Sequence, residues 1–211
     1  MPKLRVHNLA MSLDGYAAGP NQSLDNPLGE RGDELHEFAV QTTRFGGPGG
    51  SEADERFMAA GEENIGATIM GRNMFGPVRG EWGDSDWKGW WGANPVYHHP
   101  VFVLTHHPHD PIEMEGGTTF HFVTDGIESA LEQAFAAAAG KDVRLGGGAA
   151  TIRQYVQAGL VDDLHVVIVP VLFNAGERLL DPIGDQVQSF DVAEVVSSPS
   201  SKVTHVQLIR R

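Results

Sequence analysis

The chain has 211 residues, with 28 acidic against 15 basic side chains, a net charge of −13, 41% hydrophobic residues and no cysteine. It is long enough to bury a sizeable core, and its composition is that of an ordinary globular protein. Disulfides, thiolate metal sites and thiol catalysis are excluded, and the acidic balance argues against nucleic acid or an anionic membrane, both of which need clustered Lys and Arg.

The start, Met1 to His7, has no long apolar run. Nothing in the chain approaches the roughly eighteen apolar residues of a membrane span, so a cytoplasmic protein is expected. Leu4 to Met11 reads as a first strand, followed by Ser12-Leu13-Asp14-Gly15, where Asp-Gly marks a turn or bulge. A carboxylate there can enter a cleft as a proton relay or substrate anchor, or it can simply cap the turn. Residues 19–50 are rich in Gly, Pro, Asn and Asp, yet Leu35, Phe38 and Ala39 recur at helical spacing, which predicts an amphipathic helix over Asp33 to Arg44. Ser51-Glu52-Ala53-Asp54 opens a second helix, with Ser51 as N-cap and acids in the first turn.

Ala67 to Met70 reads as a short buried strand running into Gly71-Arg72-Asn73-Met74-Phe75. Backbone N–H groups after such a glycine can face a phosphate, with Arg72 as a charge-assisted partner. Alternatively, Arg72 is a solvated residue at a helix start. All four tryptophans (Trp82, Trp87, Trp90, Trp91) fall within residues 76–100. That stretch is too irregular for a regular element and too aromatic for a linker, so it reads as an ordered loop, either walling a pocket or packing as a satellite cluster.

Val101 to Leu104 is a buried strand that leads to Thr105 and His106, which are placed at its C-terminal end to line a cleft. His98, His99, His106, His107 and His109 lie close together in sequence. They flank a strand rather than repeating on a helix face, and no metal site is expected. Thr119 to Val123 is a strand, and Asp125-Gly126-Ile127-Glu128 carries a capping-box pattern before a helix with Ile127, Leu131, Ala134 and Phe135 on one face.

Val143 to Leu145 then stops at Gly146-Gly147-Gly148, and Ala149 to Ala158 is compatible with a helix. Strand, glycine turn and helix start together offer unpaired N–H groups and a positive dipole end to an anion. A bare turn with nothing bound has the same pattern. No Gly-x-Gly-x-x-Gly or Gly-Lys-Ser/Thr fingerprint is present. Leu164 to Val169 reads as a central strand broken at Pro170, and Val192 to Val196 with Val203 to Ile209 as a closing antiparallel pair.

In this order the Ser12-Leu13-Asp14-Gly15 turn, Gly71-Arg72-Asn73-Met74-Phe75, Leu104-Thr105-His106, the three glycines and Gly176-Glu177-Arg178 resemble the dihydrofolate reductase-like superfamily. The branch most similar contains the C-terminal reductase domain of bifunctional riboflavin-biosynthesis proteins and its stand-alone relatives. The resemblance implies one domain over residues 1–211: an α/β three-layer fold with a mixed, mostly parallel central sheet, flanking helices and a C-terminal antiparallel pair. It further implies an NADPH-dependent reductase, often a homodimer, that passes hydride to a small heterocyclic or carbonyl-bearing substrate. Gly71, Arg72 and Asn73 would hold phosphate. Gly146, Gly147 and Gly148, with Ala149, Ala150 and Thr151, would hold the pyrophosphate. Thr105 and His106 would meet the adenosine 2′-phosphate, Ala10 and the Ser12–Gly15 turn would lie beside the nicotinamide, and Asp14 would act as a relay toward substrate.

The family often has Arg or Ser where this chain has His106, so NADH is not excluded, and the preference would depend on pH. No carboxylate matches the folate-binding one. Lys141, Arg144, Arg153 and Arg178 are scattered, which makes a ribose-phosphate substrate the lesser option. Two alternatives are a non-catalytic nucleotide-binding homodimer of this fold and a reductase with a flavin-type or deazaflavin cofactor.

Overall fold

A computed structural model describes residues 1–76, 80–83, 86–180 and 189–211. The strands are β1 (Leu4–Ser12), β2 (Tyr16–Ala18), β3 (Ile65–Gly71), β4 (Pro100–Leu104), β5 (Ile112–Glu113), β6 (Thr119–Val123), β7 (Asp142–Gly147), β8 (Asp163–Val169), β9 (Glu177–Arg178), β10 (Phe190–Ser198) and β11 (Val203–Arg210). The helices are α1 (Glu37–Val40), α2 (Glu52–Ala60), α3 (Arg72–Phe75), α4 (Ile127–Ala137) and α5 (Ala149–Gln157). Nine strands form one sheet in the order β10-β11-β8-β1-β7-β3-β4-β6-β5, while β2 and β9 pair separately. The pairings from β8 through β1, β7, β3 and β4 to β6 are parallel; β11 joins β8, β10 joins β11 and β5 joins β6 antiparallel. This is the mostly parallel mixed sheet of the dihydrofolate reductase-like class, with the expected C-terminal pair.

Parallel strands covered on both faces read as continuous apolar runs. Ala67, Ile69 and Met70 on β3 and Val101 and Val103 on β4 are buried accordingly. On one face Ala130 and Ala134 of α4 and Ile152, Tyr155 and Val156 of α5 pack on Leu4, Val6, Ile69, Val143 and Leu145. On the other, Leu35, Phe38, Ala39 and Met58 cover Ala10, Val167 and Val169. A third cluster joins Met70, Phe75, Val101, Val103 and Phe120 to Trp82, Trp87 and Trp91. The tryptophan stretch is thus an ordered wall, apart from residues 77–79 and 84–85, which lie outside the described residues.

Two local expectations are corrected. The single helix over Asp33 to Arg44 is instead a 3-10 turn (Gly32–Leu35), the four-residue α1 and a second 3-10 turn (Thr43–Phe45). Thr42 breaks it: its backbone is extended at φ −73, ψ 154, and its hydroxyl donates to Ala39 O at 2.6 Å, which competes with continuation of the helix. Leu35, Phe38 and Ala39 are buried all the same, so the apolar spacing identified the face and missed the element. The capping box at Asp125 also does not form. Gly126 is the N-cap, at φ 92, with no side-chain cap bond, which leaves Asp125 one residue too early. The Ser51 cap does form, and Asp54 completes it: Asp54 N donates to Ser51 Oγ at 3.1 Å and Ser51 N to Asp54 Oδ2 at 3.3 Å.

Asp54 is fully buried and anchors a polar chain between α2 and the sheet. Asn8 N–H donates to His165 Nδ1 at 3.1 Å, which puts the ring proton of His165 on Nε2. His165 Nε2–H then donates to His205 Nδ1 at 3.1 Å, and His205 Nε2–H to Asp54 Oδ1 at 2.8 Å. Ser198 Oγ donates to Asp54 Oδ2 at 3.0 Å, and the Phe57 ring stacks on both imidazoles with centroids 4.3 and 4.5 Å away. Each tautomer is therefore dictated by its neighbour.

Burial pushes the His165 pKa down to about 3, well below the unfolded value near 6.5. Between those values the unfolded chain takes up a proton that the folded one refuses, so stability rises with pH and falls on acidification. The slope from His165 is about 1.4 kcal/mol per pH unit below pH 6.5. His99, held down to about 4 mainly by burial, acts with the same sign, and more weakly because it is partly exposed. Urea unfolding at pH 7.5 and pH 5 should show a lower midpoint at pH 5; equal midpoints would contradict a neutral buried His165. Asp54→Ala leaves the donors from His205, Ser198 and Ser51 unpaired. It should cost at least about 3 kcal/mol in the same assay.

Candidate nucleotide-binding cleft

β3 and β7 are parallel neighbours, and the C-terminal ends of both run into glycine. A Cβ at Gly71 would stand 2.2 Å from Thr151 Oγ1, so only glycine lets the end of β3 pack against the first turn of α5. At Gly148 the reverse holds: a Cβ there would meet nothing within 4 Å, because this residue borders open space. Gly147 takes φ +137, which favours glycine, and the Gly147–Gly148 peptide is cis. Beyond it Thr151 N and Ile152 N both donate to Gly148 O at 3.0 Å, starting α5. The remaining N–H groups of that turn have no intrahelical acceptor.

These turns border a cleft of about 810 Å³. Gly71, Arg72, Asn73, Gly146, Gly147, Gly148, Ala149, Ala150 and Thr151 line it, together with Thr105, His106 and Ala10. Every residue expected on the cofactor side is thereby brought to one place. Arg72 lies on a single helical turn, too short for a substantial dipole, so its own charge is what it contributes. Its guanidinium carbon sits 3.3 Å from the centroid of the Trp82 ring, and among the described residues its buried Nε has no hydrogen-bond partner. Burial lowers its pKa from the usual arginine value, yet arginine stays charged in proteins. The result is a partly desolvated cation at the edge of the cleft.

Asn73 Nδ2 donates to Gln22 Oε1 at 3.3 Å, tying the 19–50 segment to this turn. Thr105 is buried and shapes its own turn, accepting from His107 N at 3.1 Å; His106 is exposed at the cleft. Trp82 Nε1 donates to His107 O at 2.8 Å and Trp87 Nε1 to Phe75 O at 2.9 Å, which fixes the aromatic wall to both strand ends.

Asp14 is not brought to this cleft. It lines a separate hollow of about 570 Å³ with Tyr16, Asn174 and Arg178. Its carboxylate accepts from Ser12 Oγ at 2.6 Å, Asn174 N at 2.8 Å and Phe173 N at 3.1 Å. The Ser12 bond leads the interactions that hold its pKa down to about 2, so it is a fixed anion with its lone pairs engaged. Asp14 thereby ties the β1 turn to the 173–174 loop. Carboxylates at strand ends do both jobs, and the partner N–H groups, some 160 residues away in sequence, are invisible locally.

The cleft also includes His7, Asn8 and His36, none of which stood out in the sequence. Burial lowers the His36 pKa, and a His-Asn pair inside an otherwise apolar strand was the one signal available. The other histidines disperse: His99 bonds Thr68 Oγ1 at 2.8 Å, His98 Gly116 O at 2.9 Å and His109 Asp110 O at 2.6 Å. Among the described residues no three His, Asp or Glu side chains are grouped to hold a metal, and no helix is long and apolar enough to cross a membrane.

Solved structures share this architecture at low identity. A riboflavin-biosynthesis-type protein from Shewanella sp. PV-4 matches with a TM-score of 0.66 and 22% identity over 100% of this chain and 99% of that one. RibD from Acinetobacter baumannii matches at 0.57 and 18%, over 100% of this chain and 58% of that one. Dihydrofolate reductase from Enterococcus faecalis, solved with NADP(H), matches at 0.55 and 15%, over 99% and 96%. No curated protein sequence matches the chain. The model of the RibD C-terminal domain covers residues 2–206, so the chain belongs to the RibD C-terminal domain family.

Proposed function

We propose that the protein is an NADPH-dependent reductase of a small heterocyclic or carbonyl-bearing substrate. The observation that carries this reading is the pairing of open space at Gly148 with the Arg72 cation on one cleft. An anionic, elongated ligand with a pyrophosphate fits both: N–H groups at the start of α5 would take the pyrophosphate, and Arg72 would take a further phosphate oxygen. Thr105 and His106 would border the adenosine end, and Ala10 would flank the nicotinamide without a bulky side chain. When bound, the cofactor supplies the hydride, and the protein's task is orientation and exclusion of water. Trp90 and Trp91 line the same cleft and would shield the reacting face. Asp14 would act at a distance, by holding the turn after β1. By family resemblance we also read the protein as a cytoplasmic homodimer; sedimentation of the purified chain as a monomer would remove that part.

Two variants separate binding from folding. Gly148→Ala should leave thermal stability nearly unchanged, because the added methyl meets no protein atom. It should nonetheless weaken NADPH binding, read by tryptophan quenching or calorimetry, about tenfold or more. Gly71→Ala should destabilise the fold by about 1–3 kcal/mol through its clash with Thr151 Oγ1. Arg72→Gln should weaken NADPH binding by about ten- to a hundredfold, the loss of a charged hydrogen bond. A wild-type protein that binds neither NADPH nor NADH would overturn the reading.

A further inference from the structure

Adding hydride to a carbonyl or imine carbon drives the bonding pair onto the heteroatom, which must then gain a proton. Asp14 lines another hollow, where its oxygens already accept from Ser12, Phe173 and Asn174. Within the cleft itself the titratable groups are few. His7 is only 6% exposed, Arg72 and Arg144 stay charged, and Glu177 already has a partner. His106 and His107 follow Thr105 after β4, at the end that the cofactor reading gives to the adenosine. His36 remains.

His36 closes the 3-10 turn Gly32–Leu35 and precedes α1. Its backbone is fully engaged: N donates to Asp33 O at 2.9 Å, and O accepts from Ala39 N at 3.0 Å and Val40 N at 3.1 Å. The ring is left over. Among the described residues neither ring nitrogen has a hydrogen-bond partner, and neither is sealed from solvent. The side chain is half-buried, and the protein crowds it enough for burial to lower its pKa against the opposing charge of Asp33. That combination belongs to a ring on the wall of a concave space. The elements packed on its turn carry few other titratable groups: Glu37 on α1, Tyr16 on β2, and Arg5 and His7 on β1. Asp33 is the one whose charge acts on the ring.

The neighbours of His36 fix where on the cleft it stands. Leu35 and Phe38 are buried in the cluster that holds Ala10, the residue flanking the nicotinamide in the cofactor reading. Phe38, Ala39 and Met58 line the same cleft, so a charge developing on a ligand there is felt strongly.

We propose that His36 is the proton donor of the reduction. Hydride from a reduced nicotinamide adds to the carbon, the π pair moves to the oxygen or nitrogen, and that atom takes a proton from the His36 imidazolium. The neutral ring left behind recharges from solvent, which reaches its nitrogens. The inference rests on the reductase reading of this cleft and gives the second half of that chemistry to a residue of this chain.

The test needs no natural substrate. Benzoate carries an oxyanion on a flat ring, as a carbonyl substrate does midway through hydride addition, and benzamide is its neutral isostere. Binding of each to the full chain is measured by ligand-observed NMR at pH 6 and pH 8, with and without saturating NADPH. In the empty cleft the ring is held neutral, its pKa lying below the usual value of about 6.5. An anion that it meets as imidazolium therefore brings a proton with it. Benzoate should bind the wild type about tenfold tighter at pH 6 than at pH 8, the signature of that uptake, and benzamide equally at both. His36→Gln removes a ring that bonds no described protein atom, so the fold should survive, and the benzoate ratio should drop to near one. Equal benzoate affinity at the two pH values in the wild type overturns the proposal without any variant. So does a dependence that survives His36→Gln, or no binding of benzoate. A His36-linked dependence in a protein that binds neither NADPH nor NADH would support the proton-transfer site and remove the cofactor reading alone.

Discussion

The contact on which the cleft depends is the approach of Gly71 to Thr151. Two parallel strands, β3 and β7, end side by side, and a helix must start over them without a side chain in the way. Any Cβ at Gly71 would enter the space of the Thr151 hydroxyl, so that side chain or the turn that carries it would have to shift. The order of strands matters equally, because β1, β7 and β3 are adjacent and parallel. Their C-terminal ends therefore converge, which brings Ala10, Gly146 to Gly148 and Gly71 to one edge. Residues well over a hundred positions apart in sequence become one wall.

The opposite face of the sheet solves a different problem. α2 is anchored with the help of a buried carboxylate and two imidazoles where an apolar seam would be commoner. Every donor and acceptor along that chain is used, from Asn8 N–H to the serines around Asp54, which is the condition under which a buried polar network does not cost stability. Such a network is specific in a way that apolar packing is not: it fixes the rotation of α2 on the sheet to within a hydrogen bond. It also reaches the bulge of β1 on β8 directly, since the chain starts at the Asn8 N–H.

Much of this was legible in the sequence, and the failures have physical causes. Parallel strands with both faces covered are read from runs such as Val101 to Leu104. The glycine turns stand out because only glycine tolerates their crowding or their φ. Resemblance then put these pieces in order. What could not be read were features decided by distant partners. Asp14 ties two loops together because Phe173 N and Asn174 N reach it, and local sequence contains neither. Thr42 ends a helix whose apolar spacing continues to point inward. The bulge at His7 and Asn8 leaves only an unexplained polar pair in a strand, because register against β8 is a property of two strands and appears in neither alone.

A net charge of −13 appears at odds with a cleft for a polyanion, and distance resolves it. At physiological ionic strength, exposed charges farther away than about 8 Å are largely screened. Scattered surface acids therefore contribute little to the potential inside the cleft. Arg72, packed face-on against Trp82 and short of a hydrogen-bond partner, is screened far less. Stacking on the indole partly compensates the cation for lost water and holds the group in place. In the cofactor reading proposed above, an acidic protein keeps a cation at the cleft by stacking it on Trp82, which makes its partial desolvation tolerable.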